Sequence, residues 1–428
     1  MKRDIETIEE VVENHLCMGC GTCAAARPDI VQMIDTVGHG RRPVIAGQAS
    51  EEEAKALMRT CPGIAIDASP PLVSGGDADS YEHAAWGPIL EVWEGHATDP
   101  EMRYKGSSGG VVSALSLFCI EDKNFAGAVQ VRAREDLPLH NEAVISRSRS
   151  DVLAASASRY APASPCERLA DLRGAVQPHV FVGKPCDVAG ASRLANEDDS
   201  LSDSIALSIS IFCAGTPSLA ASRELLDYLG VSESDEIVGV RYRGRGWPGR
   251  MTVKFRSAKT GRIETASTSY EDGWDNILQK HTQWRCRLCA DHLGEHADLS
   301  IGDPWYKPVA KGDDGQSLIL VRTQRGRQIV REAMQAGILD LEPRSVAVLA
   351  ASQPNLERTR GAVFGRRLSA RLLGAAAPSY RGAGLFRVWW RALTLTDKVK
   401  SFAGTIKRIL NKGLLRGERA VPTARQPQ

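Results

Sequence analysis

AVQPHVFVGKPCDVAGASRLA, residues 175–195, is an apolar strand-like run that stops at Gly183-Lys184-Pro185-Cys186 and continues as a helix. SIALSISIFCAGTPSLAASRELLDYLG, residues 204–230, repeats the pattern: a buried strand, Cys213 at its carboxyl end, and Thr216-Pro217 opening a helix. Working outward, FAGAVQVRA (125–133) and HNEAVISRS (140–148) read as strands, and GVRYRGRGWPGRMTVKFRS (239–257) as strand, glycine-rich turn, strand. Strands alternating with helices indicate an α/β (α+β) fold with a mixed sheet. In such folds ligands sit beyond the carboxyl ends of the strands, where Lys184, Cys186 and Cys213 fall. No repeat of fixed period runs through the chain.

The chain has 428 residues, enough for two or three domains, with 43% apolar and 25% charged residues as in soluble globular proteins. No run approaches the roughly 18–20 apolar residues of a membrane span. The acidic start, MKRDIETIEEVVEN, lacks the apolar stretch of a signal peptide, so a cytoplasmic protein is expected. In that compartment ten cysteines point to metal or redox chemistry rather than disulfides. Net charge is +2 overall, but residues 351–428 hold 16 Lys and Arg against 3 Asp and Glu, leaving −11 on the first 350.

CMGCGTCAAARP (17–28) carries three cysteines at x2 spacing, with Arg27 where a ferredoxin run has its fourth. That fourth cysteine serves the other cluster of a two-cluster protein, so the first three need a distant Cys-Pro partner. Cys61-Pro62 supplies it. Cys17, Cys20, Cys23 and Cys61 therefore describe one 4Fe-4S cluster, with Gly19 and Gly21 suited to a tight loop whose amides face sulfur. Zinc is the alternative for four thiolates, and the spacing favours the cubane. Cys286 and Cys289 form a CxxC which, alone, suits zinc, a redox dithiol or neither. Cys186 and Cys213 complete a second four-thiolate group if they converge on it; otherwise they are ordinary buried cysteines. Cys119 and Cys166 stand alone.

SSGGVVSAL, VGKPCDVAGASRL, IFCAGTPS, RGWPG and CRLCADHLGEHADLSIGDPW, in this order, resemble the coenzyme F-420 hydrogenase/dehydrogenase beta-subunit family over roughly residues 85–345. The resemblance implies an iron-sulfur flavoprotein with FAD in an α/β domain and one or two 4Fe-4S clusters feeding it. Cys186, Cys213, Cys286 and Cys289 match positions where the family shows cysteines suited to a cluster. The family's commoner first motif looks like Gly-Thr-Pro-Cys-Gln; Lys184 and Asp187 depart from it. The implied organisation is a ferredoxin-like domain (1–75), a beta-subunit N-terminal domain (76–170), a C-terminal domain with FAD and the second cluster (171–345), and a basic helical tail (346–428). Residues 64–100, with DASPPLVSGGDADS at 67–80, read as a connector.

For a flavin diphosphate, Ser107-Ser108-Gly109-Gly110 offers unobstructed backbone N–H donors at a helix start, with Lys105 adding charge. A plain turn with a serine cap is the alternative. Arg159 and Tyr160 stand where the family often shows Ser-Lys-Tyr, placing a cation and a ring for phosphate or adenine. Arg245 and Trp247 read as hairpin packing, and Asp291, Asp298 and Asp303 as turn caps. Of His281, His292 and His296 around the CxxC, His292 is the candidate proton donor.

The implied enzyme is an oxidoreductase passing single electrons from ferredoxin or reduced coenzyme F-420 through clusters to FAD, and a hydride onward to an organic substrate or F-420. The alternatives are a relay subunit beside an oxidoreductase partner, or an accessory protein of polysaccharide biosynthesis. In the tail, Leu395, Val399, Phe402, Ile406, Ile409 and Leu410 share one helical face. That helix is expected to dock on the acidic body, with a peripheral contact to anionic lipid as the other reading. Nucleic-acid binding is not expected.

Overall fold

The structure, a computed structural model, describes residues 5–36, 38–47, 49–67, 80–308, 310 and 312–418. The connector expected at 67–80 lies outside them except for its two end residues, as does the 75/76 boundary. The connector does not extend to residue 100. Tyr81–Trp86 is a helix capped by Ser80, and Glu91–Ala97 is a strand whose alternating burial places it in the main sheet.

Eight strands form that sheet, in the order Leu339–Arg344, Glu91–Ala97, Ser317–Val321, Leu299–Gly302, Ile205–Ile211, His179–Gly183, Gly127–Ala133, Asn141–Ser146. The four strands from Leu299–Gly302 to Gly127–Ala133 run parallel, and the flanking pairs are antiparallel. Successive side chains point to opposite faces. Val180 and Ala128 accordingly enter one apolar cluster, with the helices Val111–Asp122 and Gln324–Gln335. Phe181 and Val129 enter another, with Pro185–Glu197 and the 3-10 segment Pro165–Leu172. Burial on both faces explains why the parallel strands read as continuous apolar runs. The expected division at 170/171 falls inside this sheet, to which both parts contribute strands.

The N-terminal unit is a hairpin, Val31–Thr36 with Gly40–Ile45, packed with the helices Ile8–Glu13, Thr22–Ala26 and Glu51–Thr60. It meets the body closely. A Cβ on Gly190, in the helix Pro185–Glu197, would lie 2.3 Å from Thr22 Oγ1. Beyond the sheet, Ile263–Ser269, Arg250–Arg256 and Glu236–Arg241 make a separate antiparallel sheet.

The tail holds three helices, Pro354–Leu372, Leu385–Ala392 and Leu395–Asn411. The last does not dock by its apolar face as expected. Ser401, Thr405 and Ile409 are its buried residues, with Ser401 lying where a Cβ on Gly365 would be. Small side chains let the two backbones approach, and that contact sets the rotation of the helix. Leu395, Val399, Ile406 and Leu410 remain exposed.

The helix Val111–Asp122 starts at Gly110, whose φ is +74° and where an added Cβ would sit 2.6 Å from the Met102 carbonyl oxygen. Gly110→Ala should therefore cost about 2 kcal/mol through left-handed strain and backbone overlap. A lowered urea midpoint with an unchanged slope checks this.

Candidate redox centre

Cys17, Cys20 and Cys23 are held by the loop and short helix that precede the hairpin, and Cys61 by the end of the helix Glu51–Thr60. All four line one small cavity with Met18, Pro62 and Gly63. The loop is tight because Gly19 and Gly21 adopt φ of +72° and +87°. The Gly19 amide points at Cys17 Sγ (3.4 Å). Burial pushes the Cys17 thiol up to about 11 and the Cys61 thiol up to about 12, and Cys23 is raised by burial and by its three neighbours. Ionising all four requires bound positive charge at their centre.

The middle cysteines come from three separate segments. Cys186 opens the helix Pro185–Glu197, Cys213 follows the strand Ile205–Ile211, and Cys286 lies in the short helix Trp284–Arg287 with Cys289 just beyond it. Burial raises Cys186, Cys213 and Cys289, and each feels the charge of other members of the group. The Thr216 amide points at Cys286 Sγ (3.5 Å). Among the described residues no three or more His, Cys, Asp or Glu side chains close around a point as a single metal ion requires.

The two groups are neighbours. Cys186 begins the helix whose Arg193 donates to the Cys61 carbonyl (2.9 Å), about 10 Å further along its axis. Arg285, fully buried, joins the groups from the other side. It precedes Cys286 and donates to the carbonyls of Gly63 (Nε, 2.7 Å) and Pro62 (3.2 Å). Cys166, which the spacing leaves alone, lies between them: its amide donates to the Cys20 carbonyl (3.1 Å) and its thiol to that of Asp187 (3.3 Å). The side chain of Cys166 beside it also holds the Cys20 thiol low.

A cavity of about 280 Å³ opens beyond the carboxyl ends of the parallel strands. It is bounded by Gly183, Phe212-Cys213 and Gly302-Asp303, with Tyr270, Trp274 and Trp305 as an aromatic wall. Ser107, Ser108, Gly110, Arg159, Tyr160 and Lys184 all line it. The serine hydroxyls are engaged within the protein. Ser107 accepts from the Ser158 amide (2.6 Å), and Ser108 donates to the Gln316 carbonyl (2.9 Å). Gly109 instead packs against the backbone of Gln316-Ser317, and Lys105 pairs with Glu101 on the surface (2.8 Å).

Lys184 stands between cavity and second thiol group. Its Nζ pairs with Asp187 (2.6 Å), and that carboxylate with Cys186 keeps the ammonium protonated despite burial. Arg159 donates only to neutral acceptors, Asn141 Oδ1 (2.7 Å) and the carbonyls of Val240 (2.6 Å) and Pro138 (2.8 Å). Its charge therefore has no carboxylate partner among the described residues. Burial pulls Arg159 down, the direction expected of an uncompensated cation.

His292 is not among the lining residues. Its Nδ1 meets the Cys213 carbonyl (2.8 Å), and burial pushes the imidazole down to about 4, so it is neutral at neutral pH. His281 pairs with Glu224, and His296 with the Asp67 carbonyl. Asp291 caps the turn at 293–295, accepting from the amides of Leu293, Gly294 and Glu295. Asp303 does more than cap. It binds Arg243 bidentately (2.7 and 2.8 Å) and accepts from Trp247 Nε1, while Arg243 lies over Tyr270 and Trp305. Arg243, Tyr270 and Arg285 lie outside the motifs quoted above, and only the fold brings them to the site; Trp305 closes the motif that begins at Cys286.

Replacing Arg285 with Met keeps volume but leaves two buried carbonyls without their donor. Arg285→Met should destabilise the chain by about 2–3 kcal/mol in chemical denaturation, with Arg285→Lys recovering part of the loss.

The N-terminal and C-terminal parts of the coenzyme F-420 hydrogenase/dehydrogenase beta-subunit family match residues 92–170 and 177–346, together more than half of the chain. The coenzyme F-420 hydrogenase subunit beta of Methanococcus voltae is 24% identical over 251 residues, which are 57% of this chain and 81% of that protein. The coenzyme F-420-dependent sulfite reductase of Methanocaldococcus jannaschii is 22% identical over 340 residues, 75% of this chain and 46% of the longer relative. A chain of the F-420-reducing nickel-iron hydrogenase complex of Methanosarcina barkeri shares the fold. Its TM-score is 0.51 at 19% identity, covering 66% of this chain and 94% of that one.

Proposed function

Because the chain belongs to the coenzyme F-420 hydrogenase/dehydrogenase beta-subunit family, we propose that it is an F-420-linked oxidoreductase with two 4Fe-4S sites and a flavin site. The observation that carries this reading is one continuous arrangement: thiol group, Arg285, thiol group, Lys184, cavity. Cys17, Cys20, Cys23 and Cys61 hold the first cluster, and Cys186, Cys213, Cys286 and Cys289 the second. The cavity between Ser107-Ser108 and the Tyr270–Trp305 wall holds FAD. When bound, the clusters supply one-electron transfer, and the flavin joins single electrons to two-electron hydride chemistry.

The chain's own residues prepare that chemistry. Arg285 offsets negative charge on the second thiol group, its guanidinium being held up against burial by Tyr380 and then by Cys289, Cys286 and Cys186. Lys184 Nζ keeps its proton and sets a positive charge where the second group meets the cavity. Arg159 offers its unmatched charge to an anionic part of the ligand. The aromatic wall excludes water and gives a flat surface for a ring system. Both lining carboxylates, Asp187 and Asp303, are tied to cations, so neither opposes an anionic ligand. The electron donor is ferredoxin or reduced F-420, and the acceptor an organic substrate or F-420 itself.

A second reading, a relay subunit that works only beside an oxidoreductase partner, is favoured by the subunit name of the Methanococcus relative. Turnover of F-420 with a reductant by the isolated chain selects the first reading, and turnover only with a partner selects the second.

Protein purified without oxygen should contain about eight irons, matching sulfide and one flavin per chain. Cys17→Ala and Cys286→Ala should each remove about four irons. Colourless protein holding zinc and no flavin would overturn the reading.

A further inference from the structure

We infer that the face built by the three tail helices is a docking surface for an anionic lipid bilayer, with its apolar stripe lying at the level of the headgroups and upper acyl chains. The helix Leu395–Asn411 seats itself by Ser401, Thr405 and Ile409, which buries Ile409 of the apolar face and turns Leu395, Val399, Ile406 and Leu410 outward. Leu395 is 79% exposed, Val399 58% and Leu410 57%. Trp390, 62% exposed, and Phe386 extend the patch on the neighbouring helix. This is a contiguous arrangement. Other exposed large apolar side chains, such as Val176, Tyr228 and Ile263, are spread over separate elements.

Charge identifies the occupant. At 100° per residue, Lys400 and Lys407 lie about 110° around the helix from the centre of the stripe, on the side away from the docked face. Both are exposed and neither forms an ion pair within 4 Å among the described residues; Asp397, itself paired with Arg358, feels the Lys400 charge. The three carboxylates of residues 351–418 are all engaged: Glu357 with Tyr81, Asp397 with Arg358, Glu418 with Arg42. The Lys398 ammonium lies 4.5 Å from the Trp390 ring centroid, a cation and an amphipathic ring at one depth. An exposed apolar stripe flanked by lysines, with a tryptophan at its end, matches the interfacial belt of an anionic leaflet.

Stacking the face on a second copy would oppose two segments of equal positive charge. The face also lies beyond residue 346, where the family match ends. No helix of the described residues is long and apolar enough to cross a membrane, so the contact proposed is peripheral.

The test is flotation of the full chain with vesicles of phosphatidylcholine alone or mixed equally with phosphatidylglycerol, at low and high salt. The expected result is at least tenfold more protein on the anionic vesicles, reduced several-fold by salt. Leu395→Glu with Val399→Glu, and separately Lys400→Glu with Lys407→Glu, should each cut binding about tenfold. Circular dichroism should show these variants folded like the parent. Failure to float with anionic vesicles would overturn the proposal, as would folded variants that bind like the parent. A lipid-free dimer abolished by the Leu395 and Val399 changes would also overturn it, making the face an interface between copies.

Discussion

Buried anionic charge needs buried positive charge beside it, and the arrangement of this protein follows from that constraint. The two groups of thiols are joined through one helix, which begins at Cys186 and holds the Cys61 carbonyl through Arg193. Arg285 meets that demand from within. Fixed by the Pro62 and Gly63 carbonyls, it ties the N-terminal unit to the segment bearing Cys286 and Cys289. One side chain is thus both the electrostatic counterweight and the mechanical joint.

The same logic reaches the cavity. The helix Pro185–Glu197 carries Cys186 at its start, rests Gly190 on Thr22, and holds the Cys61 loop through Arg193. Lys184, just before it, adds a cation at the junction of thiols and cavity. A single element therefore touches all three parts of the site. Any change that shifts this helix alters both thiol groups together, which ties stability to redox function.

The tail follows a different constraint. Close approach of small residues, Gly365 against Ser401, outweighed burial of the larger apolar face, because the surface of Pro354–Leu372 fits a narrow partner. The consequence is apolar area left facing outward and flanked by lysines.

By itself the sequence determined the local chemistry. The x2-x2 cysteine spacing, the strand–Cys–helix pattern at Cys186 and Cys213, and the helix start after Gly110 depend on neighbours within a few residues, while Cys61-Pro62 was marked by its own Cys-Pro pair. Strand runs such as VFV were legible because burial on both faces leaves no polar alternation. Tertiary structure alone decided what meets what. Cys166 reaches Cys20 across 146 positions of chain, and Arg285 reaches Gly63 across 222. Nothing local marks such pairs. The placement of His292 behind Cys213, and of Arg159 onto neutral acceptors, was likewise settled by packing. So was the outward turn of Leu395 and Val399: helical periodicity shows which residues share a face, but the shape of the opposing surface selects the face that is buried.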